Sequence, residues 1–259
     1  MTTNTVSNFD QVAAQYDQLW TSTPIGRAQR LLVWRHVDTL FHSGERILDV
    51  GCGTGEDAAH FTERGLAVHA IDPSPRMIEV ARRRGGFTAE VLGAEEIAEI
   101  GGGFDGAISD FGALNCVEDL APVARGLAGI VRPGGYVAIC TIGRCCAWET
   151  LYYAVRGQFG KAFRRFRGKA ASSLGVTVYY PSVAELRRVF AGCELERWMG
   201  IGLFVPPSYV RMPGWMVRWM GRLDRALAGV PLLRGMADHR LLIFRVGKLK
   251  HTLRGPHAG

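Results

Sequence analysis

Eleven residues, Ile47-Leu48-Asp49-Val50-Gly51-Cys52-Gly53-Thr54-Gly55-Glu56-Asp57, restrict the fold of this chain more than any other stretch. An apolar run closed by Asp49, then Gly-x-Gly-x-Gly, then residues able to open a helix, predicts a buried strand turning tightly into a helix N-terminus. Glycines let such a turn take positive φ and let a ligand lie on bare backbone, while the helix start offers unpaired N–H groups. A second apolar run, Leu66 to Ile71, ends in Asp72, 23 residues beyond Asp49. A carboxylate at the tip of the neighbouring parallel strand is placed to take both hydroxyls of a ribose. Together the two features predict an adenosine-containing ligand.

Spacing narrows the choice. A dinucleotide fingerprint needs glycine at position 56, and Glu56 stands there, where it would oppose a pyrophosphate. The form present resembles motif I of the class I S-adenosylmethionine (SAM) dependent methyltransferases. Acids suit SAM, which carries a sulfonium and an ammonium and no phosphate. The resemblance implies that Asp49, Gly51, Cys52, Gly53 and Gly55 hold the methionine end and Asp72, with Pro73, the ribose. Met77, near the opening of the next helix, is placed to flank adenine. Where the family usually shows Asp-Ala this chain has Gly93-Ala94, so Glu95 or the Ala94 backbone would take the adenine amine. The segment Ser109-Asp110-Phe111-Gly112-Ala113-Leu114-Asn115 matches motif IV, which brings Asp110, Phe111 and Asn115 beside the transferred methyl. The pattern Phe9-Asp10-x-x-Ala13-x-x-Tyr16-Asp17 is similar to the N-terminal lid of the ubiquinone and menaquinone C-methylases and their small-molecule relatives. That likeness gives Tyr16 the task of closing over the methionine end of SAM, with S-adenosylhomocysteine as the product.

Strand and helix patterns alternate from residue 46 to 142, and two further strands are expected at 195–200 and 238–246. The resemblance, which covers residues 8–142, implies an α/β, Rossmann-like, doubly wound sheet of seven strands. Its expected order is 3-2-1-4-5-7-6, with the last strand antiparallel. The organisation read from the chain is an N-terminal helical lid (1–44), a core (45–142, 182–202 and 238–247), two helical insertions forming a substrate cap (143–181 and 203–237) and a disordered tail (248–259).

Charge divides the chain. Residues 1–120 hold 9 Lys/Arg against 18 Asp/Glu, and residues 121–259 hold 22 against 6, so an acidic half that suits a cationic cofactor precedes a basic half. The basic half suggests an anionic partner: a substrate, a membrane surface or nucleic acid. No window has the roughly 18 consecutive apolar residues of a membrane span. Residues 1–7 show no secretory pattern, so a cytoplasmic location is expected, with peripheral membrane contact open. The six cysteines lack metal or Cys-x-x-Cys spacing and read as core residues or free thiols.

Methyl transfer to a nucleophile demands positioning in a dry pocket, with a base where the acceptor is a hydroxyl or an acidic carbon. Glu149, Asp110 and His239 are the candidate bases. Trp148, Tyr152, Tyr153 and Tyr180, with Asn115, are the candidate acceptor-binding residues, and their aromatic character predicts an apolar or aromatic small molecule. In the second insertion Met216, Trp219, Met220, Leu223 and Leu227 share one helical face and Arg218, Arg222 and Arg225 another, a pattern suited to an anionic membrane. A nucleic-acid methyltransferase is the rival enzyme reading. It is disfavoured because strand 4 ends Ser109-Asp110-Phe111-Gly112 rather than in an Asn/Asp-Pro-Pro-Tyr type sequence. A non-catalytic SAM-binding subunit is the third reading.

Overall fold

The computed structural model describes residues 3–247. The core alternates in the expected manner: β1 (Arg46–Val50), β2 (Ala67–Asp72), β3 (Thr88–Val91), β4 (Phe104–Ser109) and β5 (Val131–Ile142) run parallel. Helices precede and separate them: α1 (Thr3–Val12) and α2 (Pro24–Val37) before β1, then α3 (Glu56–Glu63), α4 (Pro75–Arg84) and α5 (Ala121–Ile130). After β5 come α6 (Ala147–Ala154), α7 (Phe159–Ala162), a hairpin of β6 (Lys169–Ala171) and β7 (Thr177–Tyr179), then α8 (Val183–Val189) and β8 (Cys193–Ile201). Finally α9 (Gly214–Leu227) leads to β9 (His239–Val246), which pairs antiparallel with both β5 and β8. The large sheet has the order β3-β2-β1-β4-β5-β9-β8, which is the expected order once the small hairpin is set aside.

Alternation along the strands explains the two layers. Leu48 and Ile71 join Val123, Leu127 and Phe190 on one face, whereas Ile47 and Ala70 join Val33, Val37, Phe61 and Ile78 on the other. Each fully buried side chain of this size contributes about 1.5–3 kcal/mol relative to exposure, which fixes the register. Local chemistry sets the helix starts. Ser74 accepts from Met77 N–H at 3.1 Å with Pro75 at the first helical position, and Thr23 accepts from Gly26 N–H at 3.0 Å ahead of Pro24.

Helix α2 starts at the Thr23-Pro24 cap. Helix α5 starts at Ala121, where Asp119 accepts the Ala121 N–H and Pro122 enters the first turn. One expectation changes. The first insertion is not purely helical: Val176 N–H bonds Ser172 Oγ and Gly175 turns the chain at φ 72°, so Thr177-Val178-Tyr179 folds back as a strand. On α9 the buried residues are Val217 and Asp224, while Trp219 and Leu223 of the apolar stripe are exposed. The anticipated disordered tail lies outside the described residues.

Candidate active site

The carboxyl ends of β1 and β2 build a cavity of about 680 Å³. Parallel pairing of Val50 with Ile71 brings the glycine turn beside Asp72, and Ile71 O accepts the N–H groups of Gly51 and Cys52 at 2.8 and 2.9 Å. Asp72 then holds the turn, taking Gly53 N–H on Oδ2 at 3.0 Å and Ser74 N–H on Oδ1 at 2.9 Å. At Gly53, with φ 54°, an added Cβ would meet nothing within 4 Å, so its bare backbone opens onto the cavity. Gly55 is different: its Cβ would lie 2.7 Å from Phe87 and 3.0 Å from Ala81, so this glycine permits helix packing and is not part of the lining.

The N-terminal segment straps this cavity shut. Asp10 accepts from Ser74 Oγ at 2.6 Å and from Arg76 N–H, and Asp17 accepts from Thr54 Oγ1 at 2.6 Å and from Arg84. These anchors lay Tyr16 and Trp20 across the opening, and burial pushes the Tyr16 hydroxyl up to about 12, so it stays protonated. The remaining lining includes Cys52, Pro73, Met77, Asp110 and Phe111.

Beneath lies a buried electrostatic cluster that sequence reasoning missed. The Arg30 guanidinium pairs with Asp57 and lies against the adjoining rings of Trp20 and Phe111, 5.0 and 4.8 Å from their centroids. The Asp110 carboxylate has no hydrogen-bond partner among the described residues, and Asp49 has none beyond the backbone N–H of Ala58. Burial, with Asp57 adding to it, pushes both well above the ordinary carboxylate range. Asp110 lines the cavity, but Asp49 does not. One positive group facing three acids leaves the cluster short of cations.

Pro73 also borders a shallower pocket of about 680 Å³ formed with Val6, Leu92, Gly93, Glu95 and Glu96. Ala94 is buried and lines neither space. The Gly93 N–H is taken by Glu96 at 2.9 Å.

Tyr16, Trp20 and Phe111 are shared with a second cavity of about 1000 Å³ beyond them. It is lined by Tyr153, Tyr180, Tyr209, His239 and the Glu149–Arg164–Arg165–Asp238 network. Glu149 accepts from Arg164 on both oxygens (2.8 and 3.0 Å), from Arg165 at 2.7 Å and from Tyr209 at 3.2 Å. Burial alone would raise its pKa, but the two arginines outweigh burial and hold it below the ordinary value, which makes it a poor proton acceptor. His239 stands edge-on to Phe111 at 5.5 Å, with Nδ1 3.4 Å from Asp238. Burial lowers its pKa from 6.5, so the imidazole is neutral at pH 7.

Three anticipated acceptor residues do other work. Asn115 clamps main chain, donating to Tyr179 O at 2.6 Å and Ile142 O at 3.3 Å and accepting from Ile142 N–H at 2.8 Å. Trp148 donates to Phe204 O at 2.8 Å and ties the two insertions together. Tyr152 packs on Tyr153 and Tyr209 under Arg156 and does not line the cavity. Arg30, Trp20, Arg165 and Asp238 were the residues missed. Only the Asp-His adjacency at 238–239 carried a legible signal.

Strand order, glycine turn and the acid closing β2 are those of the class I SAM-dependent methyltransferases, and the cavity suits SAM. Its surplus of buried carboxylates calls for a cation, Arg30 offers a partner for a carboxylate, and the open side of Gly53 leaves room for an adenosyl group. Residues 47–135 match the family model described as a methyltransferase domain, so the chain carries a methyltransferase domain of this class, which takes SAM as its cofactor.

A demethylmenaquinone methyltransferase from Clavibacter sepedonicus is 34% identical over 51% of this chain and 55% of its own length. A ubiquinone biosynthesis O-methyltransferase from Methylocella silvestris is 39% identical over 39% of this chain and 41% of its own length. The chain thus spans about half the length of these curated relatives. Among solved structures, a SAM-dependent methyltransferase from Thermotoga maritima, described as a possible histamine N-methyltransferase, superposes with a TM-score of 0.61. It is 19% identical and is covered to 98%, with 92% of this chain aligned.

Proposed function

We propose that this protein transfers the methyl group of SAM to an oxygen or acidic carbon of an apolar or aromatic small molecule, with His239 accepting the proton. The observation that carries the reading is the single aromatic wall, Tyr16, Trp20 and Phe111, between the acid-lined cavity and the larger one where His239 stands. Bound SAM supplies an electrophilic methyl on a sulfonium. Asp72 holds the ribose hydroxyls, Arg30 takes the carboxylate, and Asp110 and Asp57 face the positive groups. Trp20 and Tyr16 exclude water from the donor side, which strengthens these interactions.

On the acceptor side, Tyr153, Tyr180 and Tyr209 give an apolar enclosure with polar rims, suited to a ring system. Asp238 stays ionised because Arg165, with a hydrogen bond from Gln29, outweighs the effect of its burial, and its Oδ2 lies 3.4 Å from His239 Nδ1. Segments 143–181 and 203–237 act as the substrate cap. The names of the quinone-pathway relatives favour a quinone-like acceptor. The six unpaired cysteines agree with a cytoplasmic setting.

The test is incubation with methyl-labelled SAM and fractionated cell extract. Label in organic-soluble, low-molecular-weight product supports the reading. Label confined to RNA or DNA would replace it with the nucleic-acid alternative, and SAM binding by calorimetry without any labelled product would favour a non-catalytic subunit.

A further inference from the structure

Exposed apolar side chains are not scattered over this molecule. Of fourteen large ones exposed among the described residues, eleven lie between residues 151 and 236, in the two segments that interrupt the core. Segment 143–181 holds seven Lys/Arg and one acid, Glu149, and segment 203–237 holds five and one, Asp224. Both acids are buried, at 1% and 2% exposure. Glu149 is engaged by arginines and Asp224 by the N–H groups of Phe204 and Val205. Every charged group these segments show to water is therefore positive.

Helix α9 carries the clearest pattern. Trp215, Trp219 and Leu223, four residues apart, are 60%, 59% and 36% exposed, and Arg218, Arg222 and Arg225 run beside them. A helix that packs inward through Val217, shows tryptophan and leucine outward and flanks them with arginine matches an element lying in a lipid headgroup layer. Phe159, Phe163 and Phe166, exposed around α7, repeat the combination with Lys161 and Arg167.

We propose that these two segments dock the protein on an anionic lipid surface. Charge complementarity selects the partner: a second copy docked through the same two segments would set cation against cation. Aliphatic groups such as Leu151, Val155 and Leu232, exposed at 61%, 71% and 86%, stack poorly on nucleic-acid bases but gain by entering a bilayer. Tyr209 and Arg164 belong both to this cap and to the larger cavity, so docking sets that cavity against the lipid. The inference rests on the apolar-acceptor reading above and adds the route by which such an acceptor arrives.

Flotation with vesicles of phosphatidylcholine, alone or mixed with phosphatidylglycerol, tests it, alongside SAM titration of the same protein. The full chain should float with the mixed vesicles, weakly or not at all with phosphatidylcholine, and less as salt rises. Trp215→Ala with Trp219→Ala, and separately Arg218→Gln with Arg222→Gln, should each lower binding about tenfold or more while leaving SAM affinity unchanged. Equal binding to both vesicle types, no binding, or wild-type binding by both variants overturns the proposal. So does tighter binding to a single-stranded oligonucleotide, or a dimer that these substitutions dissolve. Wild-type protein that binds SAM but no vesicles removes this proposal alone. Failure to bind SAM removes the methyl-transfer reading instead.

Discussion

Arg165 donates to Glu149 at 2.7 Å and to Asp238 at 2.8 Å, joining the start of the first insertion to the carboxylate beside His239. Replacing it by methionine takes the arginine partner from the buried Asp238 carboxylate and leaves Glu149 to Arg164 and Tyr209. Arg165→Met is expected to destabilise the protein by about 3–5 kcal/mol in urea unfolding. Because the lost positive charge had been depressing the His239 pKa, the acidic limb of the pH–rate profile should also move to higher pH.

His239→Ala is expected to lower turnover by about 10²–10⁴-fold while leaving SAM affinity within about twofold. In the wild type, activity should rise with pH through a midpoint below 6.5, since the base works when deprotonated and burial lowers its pKa. Unchanged turnover in the alanine variant would end its assignment as the proton acceptor.

Burial raises Asp72 from 3.8 to about 6, against the N–H groups of Ser74 and Gly53. The folded state thus binds this proton more tightly than the unfolded one, so Asp72's contribution to stability of the free protein falls as pH climbs from about 4 to about 6. SAM binding has the opposite sense if ribose hydroxyls donate to the ionised carboxylate. Affinity measured by calorimetry should tighten as pH rises through about 6 and level off above. Asp72→Asn should weaken it roughly 10–100-fold and flatten the pH dependence.

For Arg30→Met, the dissociation constant of SAM is expected to rise about 10–100-fold, because the carboxylate of the cofactor loses a charge-assisted partner. Arg30→Lys should recover part of the loss but not the contact of the planar guanidinium with the Trp20 and Phe111 rings. Equal affinities for wild type and methionine variant would show that the carboxylate goes elsewhere.

Asn115→Ala separates clamp from contact. Loss of its bonds to Ile142 and Tyr179 should cost about 1–3 kcal/mol of stability, while KM for the acceptor stays unchanged in the folded fraction.

What the sequence made legible follows from periodicity and turn chemistry. Strands β1 to β4 and the glycine turn appear where an apolar run meets Gly or Pro, and Asp72 reaches the cavity because parallel register puts it beside Gly53. Long-range partners were not legible. Arg30 lies in a stretch that reads as an ordinary packing helix, and nothing local announces that it meets Asp57, 27 residues on. Glu149 looked like a free carboxylate at a pocket rim, since its arginines follow 15 and 16 residues later and only the fold of α6 and α7 turns them back onto it. Asp49 and Gly55 were credited with contact because a motif specifies positions in the chain, not which side of the turn each side chain occupies.

Phe111 is the one non-glycine residue with positive φ among the described residues, at 48°, and its ring stands where donor and acceptor spaces meet. Glycine there would relieve the backbone by about 1 kcal/mol, yet the phenyl group persists against that gradient. The position is therefore a natural dial for reach and selectivity. Trimming the ring would merge the chambers and admit bulkier acceptors at the expense of dryness, and widening it would narrow the gate, all without disturbing a strand.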